Sequence, residues 1–395
     1  MILANARLIF PDRIAPLGHV RIESTRIAEV FENAPITAAE GEETVNLNGN
    51  FLAPGFIDMH IHGALGRDTM EASAEAFSAI CRHHAAGGTT ALALTTITAT
   101  REEILGVLRA AEEFRSREND GAEVLGVHLE GPYFSREKPG AHRVSLIRNP
   151  QREEYEAFLA HAKNITQMTL APELPGALEL IEALCQNKLR ASAGHSDAWD
   201  EDACAAFVHG LRQVTHTFNC MSSMRRRGPF RVAGLLEFAM SEPEILCELI
   251  ADGQHVSPTL MRMLFHAKGA DGIALVTDAT AGAGLPEGAH FQLADIECVV
   301  RDGVGLTSDG AALAGSTANM IRLVKNMVDL VGTSLPEAVR MATRNPARAL
   351  GIDHQKGALT TGADADLVVL SPALDVLQTF VRGRCVFDSR AHSTR

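Results

Sequence analysis

The chain has 395 residues, of which 46% are hydrophobic, 22% charged and 5% aromatic, which supports a large aliphatic core and excludes a disordered or fibrous protein. Its 36 basic and 49 acidic residues leave a formal charge of −13, which repels nucleic acid and anionic membranes and obliges any anionic ligand to meet a local basic pocket. MILANARLIFPDR lacks the basic-then-apolar pattern of a leader and no 18 apolar residues run together, so the expectation is a cytoplasmic protein that neither binds nucleic acid nor enters a membrane.

In chain order, residues 1–50 carry short alternating segments (LIF, HVRIE, RIAEVF) broken by Pro, Gly and Asn, the pattern of small strands and tight turns. From Phe51 onward, apolar β-rich runs alternate with helical patterns. The first run is Phe56–His60; then come LALTTI with EEILGVLRAAEEF, EVLGVHLE with REEYEAFLAHA, and ITQMTLAPE with ALELIEALCQN. RASAGHS with DEDACAAFVHG, QVTHTF with VAGLLEFAM, CELIADG with PTLMRMLFHA, and finally GIALVTDA complete eight strand candidates. This repeat predicts a (β/α)8 TIM-type barrel over residues 51–356. After Asp278 follow a Gly-rich loop, a hairpin in HFQLADIECVVRDG and two helices, TANMIRLVKNMVDL and LPEAVRMATRNPARAL. ADLVVLSP and VLQTFVRGRCVF return to strands, so residues 1–50 and 357–395 are expected to pair as one small antiparallel, β-sandwich-like domain. The seven cysteines are scattered, without Cys-x-x-Cys spacing, and are expected to be reduced thiols.

Active sites of such barrels lie at the C-terminal ends of the strands. His60 and His62 end the first candidate, Glu130 the third, His195 the fifth, His216 the sixth and Asp278 the eighth. Alternate residues of a strand share a side, so His60 and His62 can reach one ion. Any one of these histidines taken alone also reads as a hydrogen-bonded barrel residue, but imidazoles and carboxylates together on one rim are the donors of a hydrolytic zinc or iron site.

The motifs FIDMHIHG, HLEGP, AGH, THTFN, ADGQHV, VTDATA and LAGS, in this order from about Leu52 to Gly362, resemble the N-acetylglucosamine-6-phosphate deacetylases of the amidohydrolase superfamily. The resemblance implies metal-dependent hydrolysis of the N-acetyl group to glucosamine 6-phosphate and acetate, in amino-sugar catabolism. It assigns the catalytic metal to Glu130, His195 and His216 and a second ion to His60 and His62. The cofactor is then a divalent metal, zinc first, with iron, manganese and cobalt left open and one or two ions per subunit. Asp278 matches the acid/base, which takes a proton from the attacking water and returns it to the departing nitrogen; His142 matches a residue near the acetyl carbonyl. His255 matches a residue facing the sugar, and Asn219 and Cys220 a pair on the phosphate side. Arg227 aligns with an arginine that reaches the phosphate of the neighbouring subunit, which implies a homodimer. The family pattern Asn-Ala-Met is here Asn219-Cys220-Met221, and Arg-Glu-Pro-Gly is replaced around Arg225-Arg226-Arg227-Gly228-Pro229-Phe230. The alternatives are a galactosamine-type substrate, another amidohydrolase reaction, or an inactive barrel serving as a scaffold. The last should have lost one of Glu130, His195, His216 or Asp278, and all four are present.

Overall fold

The computed structural model describes residues 1–293, 296–310 and 312–392. Eight parallel strands run in simple order: β1 (Phe56–Ile61), β2 (Thr89–Thr95), β3 (Glu123–Glu130), β4 (Ile165–Leu170), β5 (Arg190–Ala193), β6 (Gln213–Val214), β7 (Leu246–Leu249) and β8 (Ile273–Leu275). Every residue of β1, β2, β7 and β8 is buried, as expected of parallel strands covered on both faces. The seam between β8 and β1 closes just beyond the strands: Asp278 N–H donates to the His60 carbonyl at 2.9 Å and His62 N–H to the Ala279 carbonyl at 2.8 Å. β6 is shorter than QVTHTF suggests. His216, Phe218 and Cys220 adopt φ of +31°, +80° and +47°, which an extended strand cannot hold.

The outer layer is α1 (Ala74–Ala86), α2 (Arg101–Arg115), α3 (Arg152–Leu159), α4 (Ala177–Gln186), α5 (Asp200–Val208), α6 (Leu235–Ser241) and α7 (Pro258–Lys268), then α8 (Met320–Asn326) and α9 (Leu335–Ala342). α2 shows how sequence makes such a helix. Ile104, Val107, Leu108, Ala111 and Phe114 form one buried stripe at helical spacing, each large side chain contributing about 1.5–3 kcal/mol on full burial. Its start is fixed by a capping box in which Thr100 accepts from Glu103 N–H and Glu103 accepts in return, and Thr100→Ala would cost about 1 kcal/mol.

The small domain is one sheet of eight strands, ordered Arg384–Asp388, Val376–Val381, Leu367–Leu370, Phe51–Pro54, Ile2–Ile9, Ile14–Glu23 and Arg26–Glu32, with Thr44–Asn46 also beside Ile2–Ile9. Two features differ from the expectation. Ile2–Ile9 pairs parallel, not antiparallel, with both Thr44–Asn46 and Phe51–Pro54. Phe51–Pro54 belongs to this sheet and not to the barrel. The chain crosses between the sheets at Gly55, whose N–H donates to Asp366 O at 2.8 Å and where a Cβ would fall 2.1 Å from Thr90. Residues 393–395 of the expected C-terminal part lie outside the described residues.

Lys356 joins the two domains. Its ammonium, 5% exposed, lies 2.7 Å from Glu123 at the start of β3, 2.8 Å from Asp364 and 2.6 Å from Asp366. Those three carboxylates have the spacing of a cation site, and the lysine is the cation. The expected hairpin after Asp278 is two strands of a four-stranded antiparallel sheet, His290–Leu293, Ile296–Arg301, Val304–Thr307 and Leu313–Ser316. Ala294 and Asp295 of the expected hairpin lie outside the described residues. Phe291, Cys298, Val300 and Ala314 of this sheet pack against Ile97 and Ala281 at the top of the barrel. Among the described residues no helix is long and apolar enough to cross a membrane.

Candidate metal centre and substrate pocket

The strand ends bring six of the titratable residues to one point. His60 and His62 lie on the same side of the chain at the end of β1, with their Nε2 atoms 3.2 Å apart. Glu130 ends β3 at the centre of the group. Its Oε1 lies 3.2 Å from His216 Nε2 and 3.4 Å from both His195 and His60 Nε2; its Oε2 lies 3.1 Å from His62 Nε2. His195 and His216 sit two residues past β5 and β6, their Nε2 atoms 3.0 Å apart. Asp278 Oδ1 is 3.2 Å from His62 Nε2 and 3.4 Å from His60 Nε2. His195, His216 and Asp278 all have positive φ, strain of about 1–3 kcal/mol apiece that the closed barrel sustains.

These residues fit a metal. Two neutral imidazoles cannot point ring nitrogens at each other across 3.0 Å without a proton or cation between them. Tetrahedral ligands about 2.0–2.1 Å from a zinc ion stand roughly 3.3–3.4 Å from one another, which is the spacing found here. The tautomers agree. His195 Nδ1 faces the Lys138 carbonyl at 3.0 Å, which can only accept, so Nδ1 carries a proton and, in the neutral ring that a metal ligand must be, Nε2 is the atom with the lone pair. Two sets form, Glu130 with His195 and His216, and His60 with His62 and Asp278. Burial disfavours a protonated ring, yet Glu130 and Asp278 pull His60 well above its ordinary value, and hydrogen bonds to the same two carboxylates carry His62 up to about 9. The two buried carboxylates call for positive charge, and a divalent ion supplies it while displacing ring protons. Asp278 itself would be raised by burial but is held below the usual carboxylate range by the two rings beside it.

Above the cluster lies a cavity of about 230 Å³, walled by His142, Asn219, Cys220 and His255 and, from the four-stranded sheet, by Leu293 and Leu313. His142 is buried beside His195 and falls to about 4, so it is neutral at pH 7. Thr98 N–H donates to its Nδ1 at 3.1 Å, which leaves Nε2–H as a donor. That nitrogen is 3.5 Å from Glu130 Oε2, at the cavity wall. His255 Nδ1 pairs with Asp252 Oδ2 at 2.7 Å, which orients the ring. Gly140 crosses so close to the cluster, with φ +57°, that a Cβ there would lie 2.8 Å from Cys220 Sγ and 3.1 Å from His195.

Arg227, like the wholly buried His60, is a sequence candidate that does not line this cavity. It lies on a two-stranded hairpin, Arg225–Arg227 with Phe230–Val232, its guanidinium 2.7 Å from Glu201 and 4.1 Å from the centre of the Trp199 ring. Arg225 also covers Trp199, at 3.8 Å, and binds both oxygens of Asp197 at 2.6 Å. Sequence reading missed Glu248, which meets His60 from below, and Leu293 and Leu313, whose sheet reaches the pocket from far along the chain. The signal for Glu248 was available: a carboxylate inside the apolar strand CELIADG.

Residues 51–386 match the amidohydrolase family. The chain belongs to that family. This amidohydrolase is 35% identical over 370 residues to the N-acetylglucosamine-6-phosphate deacetylase of Vibrio furnissii, covering 92% of the chain and 91% of the relative. It is 34% identical to the N-acetylgalactosamine-6-phosphate deacetylase of Escherichia coli O157:H7, over 97% of the chain and 98% of the relative. Among solved structures it resembles an alanine variant of the Mycobacterium smegmatis N-acetyl-D-glucosamine-6-phosphate deacetylase in complex with N-acetyl-D-glucosamine-6-phosphate. The TM-score is 0.89 at 31% identity, covering 98% of this amidohydrolase and 99% of that chain.

Proposed function

We propose that this amidohydrolase removes the acetyl group of N-acetylglucosamine 6-phosphate, giving glucosamine 6-phosphate and acetate. The observation that carries the reading is the convergence of Glu130, His195 and His216 with Asp278 beneath a small walled cavity. An amide carbonyl is a poor electrophile and an amine a poor leaving group, so the reaction needs carbonyl polarisation, an acidified water and a proton donor. Glu130, His195 and His216 would hold a divalent ion, which would supply the first two, and His60 and His62 would hold a second ion. We take the metal to be zinc, with iron, manganese and cobalt compatible with the same donors.

The chain's own groups do the rest. Asp278 is ionised and stands at the cavity, placed to accept the proton of the attacking water and then pass it to the departing nitrogen. His142 presents Nε2–H to the acetyl oxygen as negative charge develops there. His255, held by Asp252, faces the sugar, and Asn219 and Cys220 border the phosphate side. Arg227 does not reach the cavity of its own chain, which agrees with a homodimer in which it completes the partner's phosphate site. A phosphorylated sugar is charged and does not cross membranes, so we place the reaction in the cytoplasm.

The test is acetate release from N-acetylglucosamine 6-phosphate, its unphosphorylated form and the galactosamine 6-phosphate epimer. The epimer is a real competitor, given the galactosamine-type relative at 34% identity. Turnover fastest on the glucosamine phosphate supports the reading. Preference for the epimer replaces it, and indifference to the phosphate refutes both.

A further inference from the structure

Glu248 lies in the middle of β7, wholly buried, and among the described residues no lysine or arginine side chain bonds to it. It is met by donors alone. Oε1 accepts from Gln213 Nε2 at 2.7 Å and Gln167 Nε2 at 3.1 Å; Oε2 accepts from the His216 backbone N–H at 3.3 Å and faces His60 Nδ1 at 3.2 Å. The two glutamines are locked in turn, since Gln213 Nε2 also donates to Gln167 Oε1 at 2.8 Å and Gln167 Nε2 to the Met59 carbonyl at 3.2 Å. A carboxylate fixed in this way can only accept, so the proton between it and His60 belongs to Nδ1. In the neutral ring that a metal ligand must be, His60 Nε2 then carries the lone pair and directs it at Glu130 and His62. His128, packed edge-on at 4.6 Å, keeps the ring from turning away.

We propose that Glu248 is a positioning residue for the second metal ion: by accepting Nδ1–H it sets both the tautomer and the direction of His60, and through His216 N–H it ties that ion's site to the first. This rests on the metal reading given above. Nothing about Glu248 touches substrate; it acts through His60. A carboxylate behind a histidine ligand typically accounts for a tenfold to hundredfold difference in metal affinity, roughly the loss expected on removing it. The amide in Glu248→Gln has one accepting oxygen in place of two, so it cannot satisfy all four donors.

The experiment uses Zn²⁺ alone, measured by metal content after dialysis and by competition with a chelator, on the wild type, Glu248→Gln, His60→Ala and the double variant. The expected result is two ions in the wild type. In Glu248→Gln the second ion is held roughly ten- to a hundredfold more weakly and the first with wild-type affinity. The double variant should be no weaker than His60→Ala, because both changes strike one interaction. Wild-type affinity for the second ion in Glu248→Gln overturns the proposal and leaves the metal reading standing. So does equal weakening of both ions with a lower melting temperature of the metal-free protein, which marks a purely structural role. A wild type that holds one ion, with His60→Ala indistinguishable from it, overturns the second site itself. If Glu248→Gln does not fold, Glu248→Asp is measured in the same way: it keeps the charge but draws it back from His60, so a weaker second ion is expected and unchanged affinity refutes the assignment.

Discussion

Replacing Asp278 by Asn separates proton transfer from everything else this residue does. Asp278 sits at φ +49°, a left-handed conformation that asparagine tolerates as well as aspartate does, so the backbone should not shift. The amide keeps the size of the side chain and an oxygen toward His62, which stands 3.2 Å away. What it loses is charge and basicity. Among the carboxylates around the cluster, Glu130 is surrounded by four Nε2 atoms within 3.4 Å and Glu248 lies below His60, so neither can take over the proton. General acid/base catalysis is worth about 10²–10⁴ in rate, or roughly 2.7–5.4 kcal/mol of barrier. The assay is acetate release at saturating substrate and Zn²⁺, with metal content measured on the same preparation. A kcat at least a hundredfold lower, with the Glu130/His195/His216 ion retained, is the expected outcome. A kcat within tenfold of wild type would remove Asp278 from the reaction, and loss of all metal would show that its main task is holding ions.

His195→Ala/His216→Ala should abolish retention of the first ion and turnover together, whereas His60→Ala should lower occupancy toward one ion; full metal content in the double variant refutes the site. Arg227→Ala should raise KM for the phosphorylated sugar about ten- to a hundredfold, the value of roughly 1.5–3 kcal/mol for a charge-assisted bond, and leave the unphosphorylated sugar nearly unaffected. Mixing Arg227→Ala with Asp278→Asn subunits should restore activity if the arginine acts across a dimer, and absence of recovery after verified exchange places it elsewhere. The Asp252–His255 pair should stabilise the fold in a bounded pH window. Burial opposes both charges, but each group outweighs it for the other: Asp252 raises His255 above 6.5 and His255 lowers Asp252 below 3.8. The histidine contribution is complete below its unfolded value and lost as pH rises through the folded one; the aspartate contribution is present above about 3.8 and lost in more acid solution. Asp252→Asn should therefore lower the melting temperature more at pH 6 than at pH 9, and a pH-independent difference would contradict the pairing.

The barrel was legible because each βα unit announces itself: a fully buried strand such as Thr89–Thr95, TTALALT, reads as a run of aliphatic residues and threonines without a charge, and α2 as a 3.6-residue stripe with its cap. The rim was legible for a related reason. His60, Glu130 and Asp278 stand where an apolar run stops, and barrels put their chemistry there. Other features depend on contacts between distant segments, which no local pattern encodes. Phe51–Pro54 has the texture of a barrel strand, and only its partners Ile2–Ile9 and Leu367–Leu370 decide that it is not one. Lys356 reads as a surface lysine until Glu123, Asp364 and Asp366 close around it. Val304–Thr307 and Leu313–Ser316 are short and Gly-interrupted, and become strands through the hairpin beside them.

The seam of the barrel has a consequence for how the protein is made. Asp58 accepts from Thr277 N–H at 3.2 Å and from its hydroxyl at 2.6 Å, a junction spanning 219 residues of chain, and the backbone bonds from Asp278 to His60 and from His62 to Ala279 lie next to it. A ribosome delivers the first half of the metal cluster long before the second. Until β8 docks, the barrel is an open sheet with an unpaired edge at β1, and His60 and His62 have no Asp278 opposite them. Closure is thus a late, non-local step in folding, and the same event that seals the sheet assembles the site. Chains stalled before residue 278 should neither capture a second ion nor turn over substrate, so catalytic competence reports that the whole barrel has been finished.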